Sequence, residues 1–139
     1  MRRTLAMAFV VVALLAACSK EKETDTKGAN SPCAGDLTGP AQPPSQLPPG
    51  FPAPAGVLYF TSHKAGPSTI LSAVFFGDLG DAVNAYKSGF QTAGYNVTRS
   101  EQDIAVAEVD WSGGNTTGEV KMIVPCDGRV NLNLTIRPA

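Results

Sequence analysis

The chain has 139 residues, 43% apolar and 17% charged with a single tryptophan, which is material for one modest domain. Eleven Lys and Arg stand against twelve Asp and Glu, and this net charge of −1 excludes a polybasic nucleic-acid binder and a strongly acidic tail protein. Placement says more than totals: eight of the eleven prolines fall between Pro32 and Pro54, so residues 51–139 are left for a folded head.

Met1-Arg2-Arg3 is a short positive start, residues 5–17 are uncharged and mostly apolar, and Ser19-Lys20-Glu21-Lys22-Glu23 is polar. A bilayer-crossing helix needs about twenty apolar residues, so the run reads as the core of a secretory signal peptide rather than as a span. Leu15-Ala16-Ala17-Cys18 resembles the lipobox of bacterial lipoproteins: an apolar residue, two small ones and a cysteine. The resemblance implies cleavage after Ala17, a diacylglyceryl group on the Cys18 thiol and a further palmitate-like chain on the new amine. It also implies a bacterial cell-envelope location, with the chain anchored to a membrane and facing the extracytoplasmic side. Each buried methylene contributes about 0.8 kcal/mol, and two or more chains anchor stably where one does not. Arg2-Arg3 is faintly similar to a twin-arginine signal, but so short a start fits the general secretory route better. The residue after Cys18 is Ser19, so the resemblance implies no aspartate-type inner-membrane retention signal.

Residues 18–50 carry Leu37 and Leu47 as their only large apolar side chains. Such a stretch cannot bury enough surface to offset the entropy of ordering, so it is expected to be a disordered, proline-extended tether. With Cys18 assigned to lipid, Cys33 and Cys126 remain, and an oxidising compartment argues that they form a disulfide. Free thiols, or a metal pair completed by His63, are the rival readings; the absence of C-x-x-C spacing tells against the metal.

In the head, residues 57–61 (Val-Leu-Tyr-Phe-Thr) and 69–76 (Thr-Ile-Leu-Ser-Ala-Val-Phe-Phe) read as a hairpin, with turn chemistry at 64–68. Asp78 is a good N-cap, and Leu79, Ala82, Val83, Tyr86, Phe90 and Ala93 form one apolar stripe up to a stop at Gly94. Gly80 and Gly89 weaken that helix by about 1 kcal/mol each, so packing must hold it. Residues 95–99, 104–111, 119–124 and 130–137 alternate as strands, and Asp127-Gly128 marks a hairpin. The order β-β-α-β-β-β-β predicts a two-layer α+β head, a mostly antiparallel sheet of about six strands packed on one helix. At fold level it resembles helix-grip domains, in which a curved sheet wraps a helix.

Chemistry is sparse. His63, in Thr61-Ser62-His63-Lys64, has no supporting nucleophile motif and reads as an exposed loop histidine. Glu101, Asp103, Glu108 and Asp110 offer paired carboxylates or a calcium site, but no glycine-bearing calcium loop accompanies them, and a solvated strand face explains them. Tyr86, Phe90 and Trp111 are the candidates for a ligand groove between helix and sheet, against core packing as the alternative. The expected function is therefore a non-catalytic binding module of the envelope, without cofactor or metal, meeting an envelope protein or polymer and no nucleic acid. The alternative is a carrier or sensor of a small apolar ligand.

Overall fold

Strict apolar alternation in the last third of the chain forces a sheet with one buried face, and the apolar stripe of one helix covers much of it. The computed structural model describes residues 47–139 together with Cys33, Leu37 and Ser45. The expected signal peptide, Cys18 and most of the tether lie outside the described residues. The elements are β1 (Val57–Ala65), β2 (Ser68–Phe76), α1 (Leu79–Thr92), β3 (Asn96–Gln102), β4 (Val106–Gly113), β5 (Thr116–Cys126) and β6 (Arg129–Pro138). All six strands form a single antiparallel sheet in the order β1-β2-β6-β5-β4-β3. The crossover through α1 carries the chain from β2 to the far edge, and the meander β3 to β6 then returns to close on β2.

The expected order of elements is the observed one, and the strands run further than local pattern suggested. β1 continues through His63 and Lys64 to Ala65, leaving a two-residue turn, Gly66-Pro67, in which Gly66 has φ +59°. A glycine at the first position of a two-residue turn suits the twist of the flanking strands. His63 is thus a strand residue paired with Ile70, not the loop residue expected; hairpin pairing extends the strand through polar positions that carry no alternation signal.

Asp78 occupies the N-cap position, but its side chain makes no capping bond; its carboxylate acts only as charge near the positive end of the helix. The other end is closed as the sequence requires. Gly94 adopts φ +79°, its N–H donates to the Gln91 carbonyl (3.1 Å), and the Tyr95 N–H donates to the Phe90 carbonyl (2.8 Å). These are the two bonds of a Schellman motif, whose apolar clasp is Tyr95 edge-on to Phe90 with centroids 5.9 Å apart.

The core lies between α1 and the inner face of the sheet. Tyr86, Phe90, Trp111, Val109, Val120, Met122 and Leu134 are fully buried there. Phe90 stacks on Trp111 at 5.2 Å, and Phe51 inserts edge-on against Phe90, Tyr95 and Trp111 at 5.4, 6.2 and 5.2 Å. Leu47, on the tether side of the expected boundary, packs against the same cluster. Two glycines permit this closeness. A Cβ on Gly89 would lie 2.7 Å from Pro52, so the helix glycine lets the incoming segment lie against α1. Gly118 stands directly across from Trp111, and a Cβ there would meet the indole at 2.8 Å and collide with the Thr135 carbonyl. The glycine leaves the floor on which the ring rests.

Candidate functional site

The inner face is filled. Tyr86, Phe90 and Trp111 do not line a groove: each is fully buried, and they belong to one packed cluster with Phe51 and Tyr95. The sequence pattern could not separate core from groove, because Phe51 comes from the proline-rich approach and occupies the space a ligand would need. Polar atoms are buried here too. The hydroxyls of Tyr59 and Tyr86 are near enough to influence each other's ionisation, yet among the described residues neither has a partner at full hydrogen-bond geometry, nor has Trp111 Nε1. Burial raises the pKa of Tyr59, and raises that of Tyr86 well above its usual value, with the neighbouring Tyr59 adding to the effect.

The outer face of the sheet carries the exposed chemistry, and register sorts it into rows. One row runs Leu58, Val74, Asn131, Ile123, Val106 across β1, β2, β6, β5 and β4. Four of its five members are apolar, on a face whose rows farther along are charged. Phe76 and Phe60 flank it at 44% and 40% exposure, and Ile123 and Val106 are as open at 44% and 41%. The register shifts after Tyr59, where Phe60 lies on this face beside the row, and again between Ile123 and Cys126 near the end of β5. The Arg129 guanidinium lies 6.0 Å from the Phe76 ring centre. Part of the row forms a groove of about 420 Å³ lined by Leu37, Phe60, Val74 and Ile123, with Lys121 and Arg129 at its rim. At the same end of the sheet Cys33 and Cys126 are joined as a disulfide, Cα atoms 6.3 Å apart across 93 positions of sequence. This spacing is that of a disulfide, the first of the three readings, ahead of free thiols or a metal pair with His63.

Farther along the outer face the rows are charged. Glu101 faces Glu108, and Asp110 faces Glu119, two like-charge pairs that disfavour the sheet by themselves. Arg99 answers them, with its guanidinium 2.9 Å from Glu101, 3.3 Å from Glu108 and 3.7 Å from Asp110. The hydrogen bond and charge of Glu101, then the charge of Glu108, push the guanidinium pKa further up. Glu108, Asp110 and Glu119 each bring a carboxylate oxygen within 4.8 Å of the others. Arg99 already pairs with two of the three, and Lys121 stands across from Glu108, so part of the cluster's negative charge is offset by neighbouring cations of the sheet surface. Asp103, instead of joining it, accepts the Ile104 N–H at 2.7 Å in the β3–β4 turn. His63 is exposed on edge strand β1, and among the described residues no side-chain hydrogen bond or ion pair reaches its imidazole. Cys18, the expected lipid site, lies outside the described residues.

Comparison with protein-family models, curated proteins and solved structures found no match to this chain.

Proposed function

We propose that the protein is a bacterial lipoprotein, anchored through acylated Cys18, whose head is a non-catalytic binding module exposed outside the membrane. The observation that carries the binding role is the exposed apolar part of the outer face, Ile123 and Val106 with Phe60 and Phe76 beside them, on a sheet whose opposite side is a filled core. Exposed apolar surface of this kind, bordered by charged rows, is what a protein or polymer partner of the envelope would cover. The lipobox sequence supports the anchor, and the proline-rich stretch supports a tether between anchor and head. A six-stranded sheet, bent by bulges in β1 and β3 and packed on one helix, supports a helix-grip-like description of the head.

Two measurements test the two halves separately. Cys18→Ser is expected to move the expressed protein from the membrane fraction to the soluble extracytoplasmic fraction; unchanged membrane association defeats the anchor. In-cell crosslinking of the wild-type chain is expected to capture an envelope partner, and Ile123→Glu, at an exposed position, to lose it while the fold is retained. Capture that survives Ile123→Glu together with Val106→Lys places the contact elsewhere and defeats the proposed surface.

A further inference from the structure

One wall of the groove on the outer face is a residue from outside the head. Leu37 lines it beside Phe60, Val74 and Ile123. Val74 points to the face that α1 does not cover, yet it is only 5% exposed, whereas Phe76, two residues along the same strand, is 44% exposed. Something shields Val74 that does not reach Phe76. The disulfide shows how Leu37 comes to be there. Cys33 is fixed at the end of β5, next to the apolar row, and four residues of chain reach at most about 14 Å. Charge agrees with shape. Asp36 is the one charged residue between Lys27 and Lys64, and it neighbours Leu37 in sequence. The groove's lining includes two cations, Lys121 and Arg129, and no carboxylate among the described residues.

We propose that this groove is an internal docking site whose occupant is the chain's own Asp36-Leu37 segment, clipped over the sheet by the Cys33–Cys126 bond. Docking depends on the clip, because one leucine and one surface charge pair cannot offset the entropy of ordering the residues between the groove and the head. Opening the disulfide therefore uncovers the apolar row. A dithiol reductant supplies the two electrons: one of its thiolates attacks a cystine sulfur and expels the other cysteine as a thiolate, which takes up a proton. The second thiol of the reductant then displaces the mixed disulfide, leaving two cysteine thiols and one oxidised, cyclic reductant. The inference concerns what covers the face, and it stands whether or not the chain is lipidated or meets a partner there.

The test is methyl NMR on the full chain purified without reductant. Nuclear Overhauser contacts from the Leu37 methyls to Val74 and Ile123 are expected in the oxidised protein. Dithiothreitol is expected to abolish them while contacts among Leu71, Val120 and Leu134 in the core persist. Absence of the contacts in the oxidised protein overturns the proposal, as does their appearance only between differently labelled copies, which would make a second chain the occupant. Their survival after full reduction overturns the clip. Should reduction also disturb the core, Leu37→Ala and Asp36→Lys in the oxidised protein decide the matter. Leu37→Ala is expected to move the Val74 and Ile123 methyl shifts, and Asp36→Lys to weaken the Leu37 contacts; shifts and contacts unmoved by both refute the docking.

Discussion

Phe51→Ala is the sharpest test of how the head is built. The ring is 8% exposed and meets three aromatic partners edge-on, with centroids 5.2 to 6.2 Å away. Truncating a buried phenylalanine costs about 3–5 kcal/mol, and here the cavity opens beside the largest side chain of the core. A head of this size has a total stability of roughly 4–13 kcal/mol at about 0.05–0.15 kcal/mol per residue, so the loss is a large share of it. The assay is urea unfolding under non-reducing conditions, followed by the fluorescence of Trp111, the only tryptophan in the chain. With a slope of about 1–3 kcal/mol/M, the midpoint is expected to fall by at least about 1 M. Phe51→Leu should fall between the two, since it refills part of the space. A midpoint within about 0.3 M of wild type would mean that Phe51 only rests on the core, and that the proline-rich approach contributes nothing to it.

Three other substitutions probe separate features. Gly118→Ala pushes a methyl into the Trp111 ring and the Thr135 carbonyl, so it should cost about 1–3 kcal/mol and alter Trp111 emission; a wild-type midpoint would refute the close approach. Tyr59 and Tyr86 keep their protons in the folded state at pH values where the unfolded chain has begun to lose them, near pH 10.0. Their contribution is therefore complete below that pH, and above it stability should fall by up to about 1.4 kcal/mol per pH unit for each tyrosine. Tyr86→Phe should flatten this alkaline limb with little loss at neutral pH, because among the described residues the hydroxyl it removes has no partner at full hydrogen-bond geometry; a loss above about 1 kcal/mol at pH 7 would show that the hydroxyl is bonded. Arg99→Ala leaves the facing carboxylates of β3, β4 and β5 unanswered and should lower the melting temperature at low ionic strength, less so in about 1 M salt. The raised guanidinium pKa keeps Arg99 charged up to strongly alkaline conditions; an unchanged melting temperature at low salt would refute its role.

The last strand shows how far local pattern reaches. Val130, Leu132, Leu134 and Ile136 alternate with polar residues in the sequence, and all four are buried in β6. The helix was equally legible, since its stripe and the Gly94 stop are local signals. Pattern failed where a residue's fate depends on what meets it from elsewhere. Phe51 follows Pro48-Pro49-Gly50 and carries no periodicity, yet it is core because α1, the turn that follows it and β4 all present rings to it. Tyr86, Phe90 and Trp111 were visible as candidates, but the choice between groove and core turned on that one insertion. A weaker trace of the outer surface did exist: Ile123 follows Lys121 and Glu119 on the polar side of its strand, and Val106 is out of phase with Ala107, Val109 and Trp111.

Composition and periodicity alone thus settled the proline-rich approach and the order of strands and helix, because these are properties of neighbouring residues. The apolar row could come only from tertiary structure. Leu58, Val74, Val106 and Ile123 lie on four strands, and each by itself is an unremarkable aliphatic residue on an outward position. Pairing register, set by turns, bulges and the buried inner face, brings them into line, and register is a relation between distant segments that no short window of sequence contains.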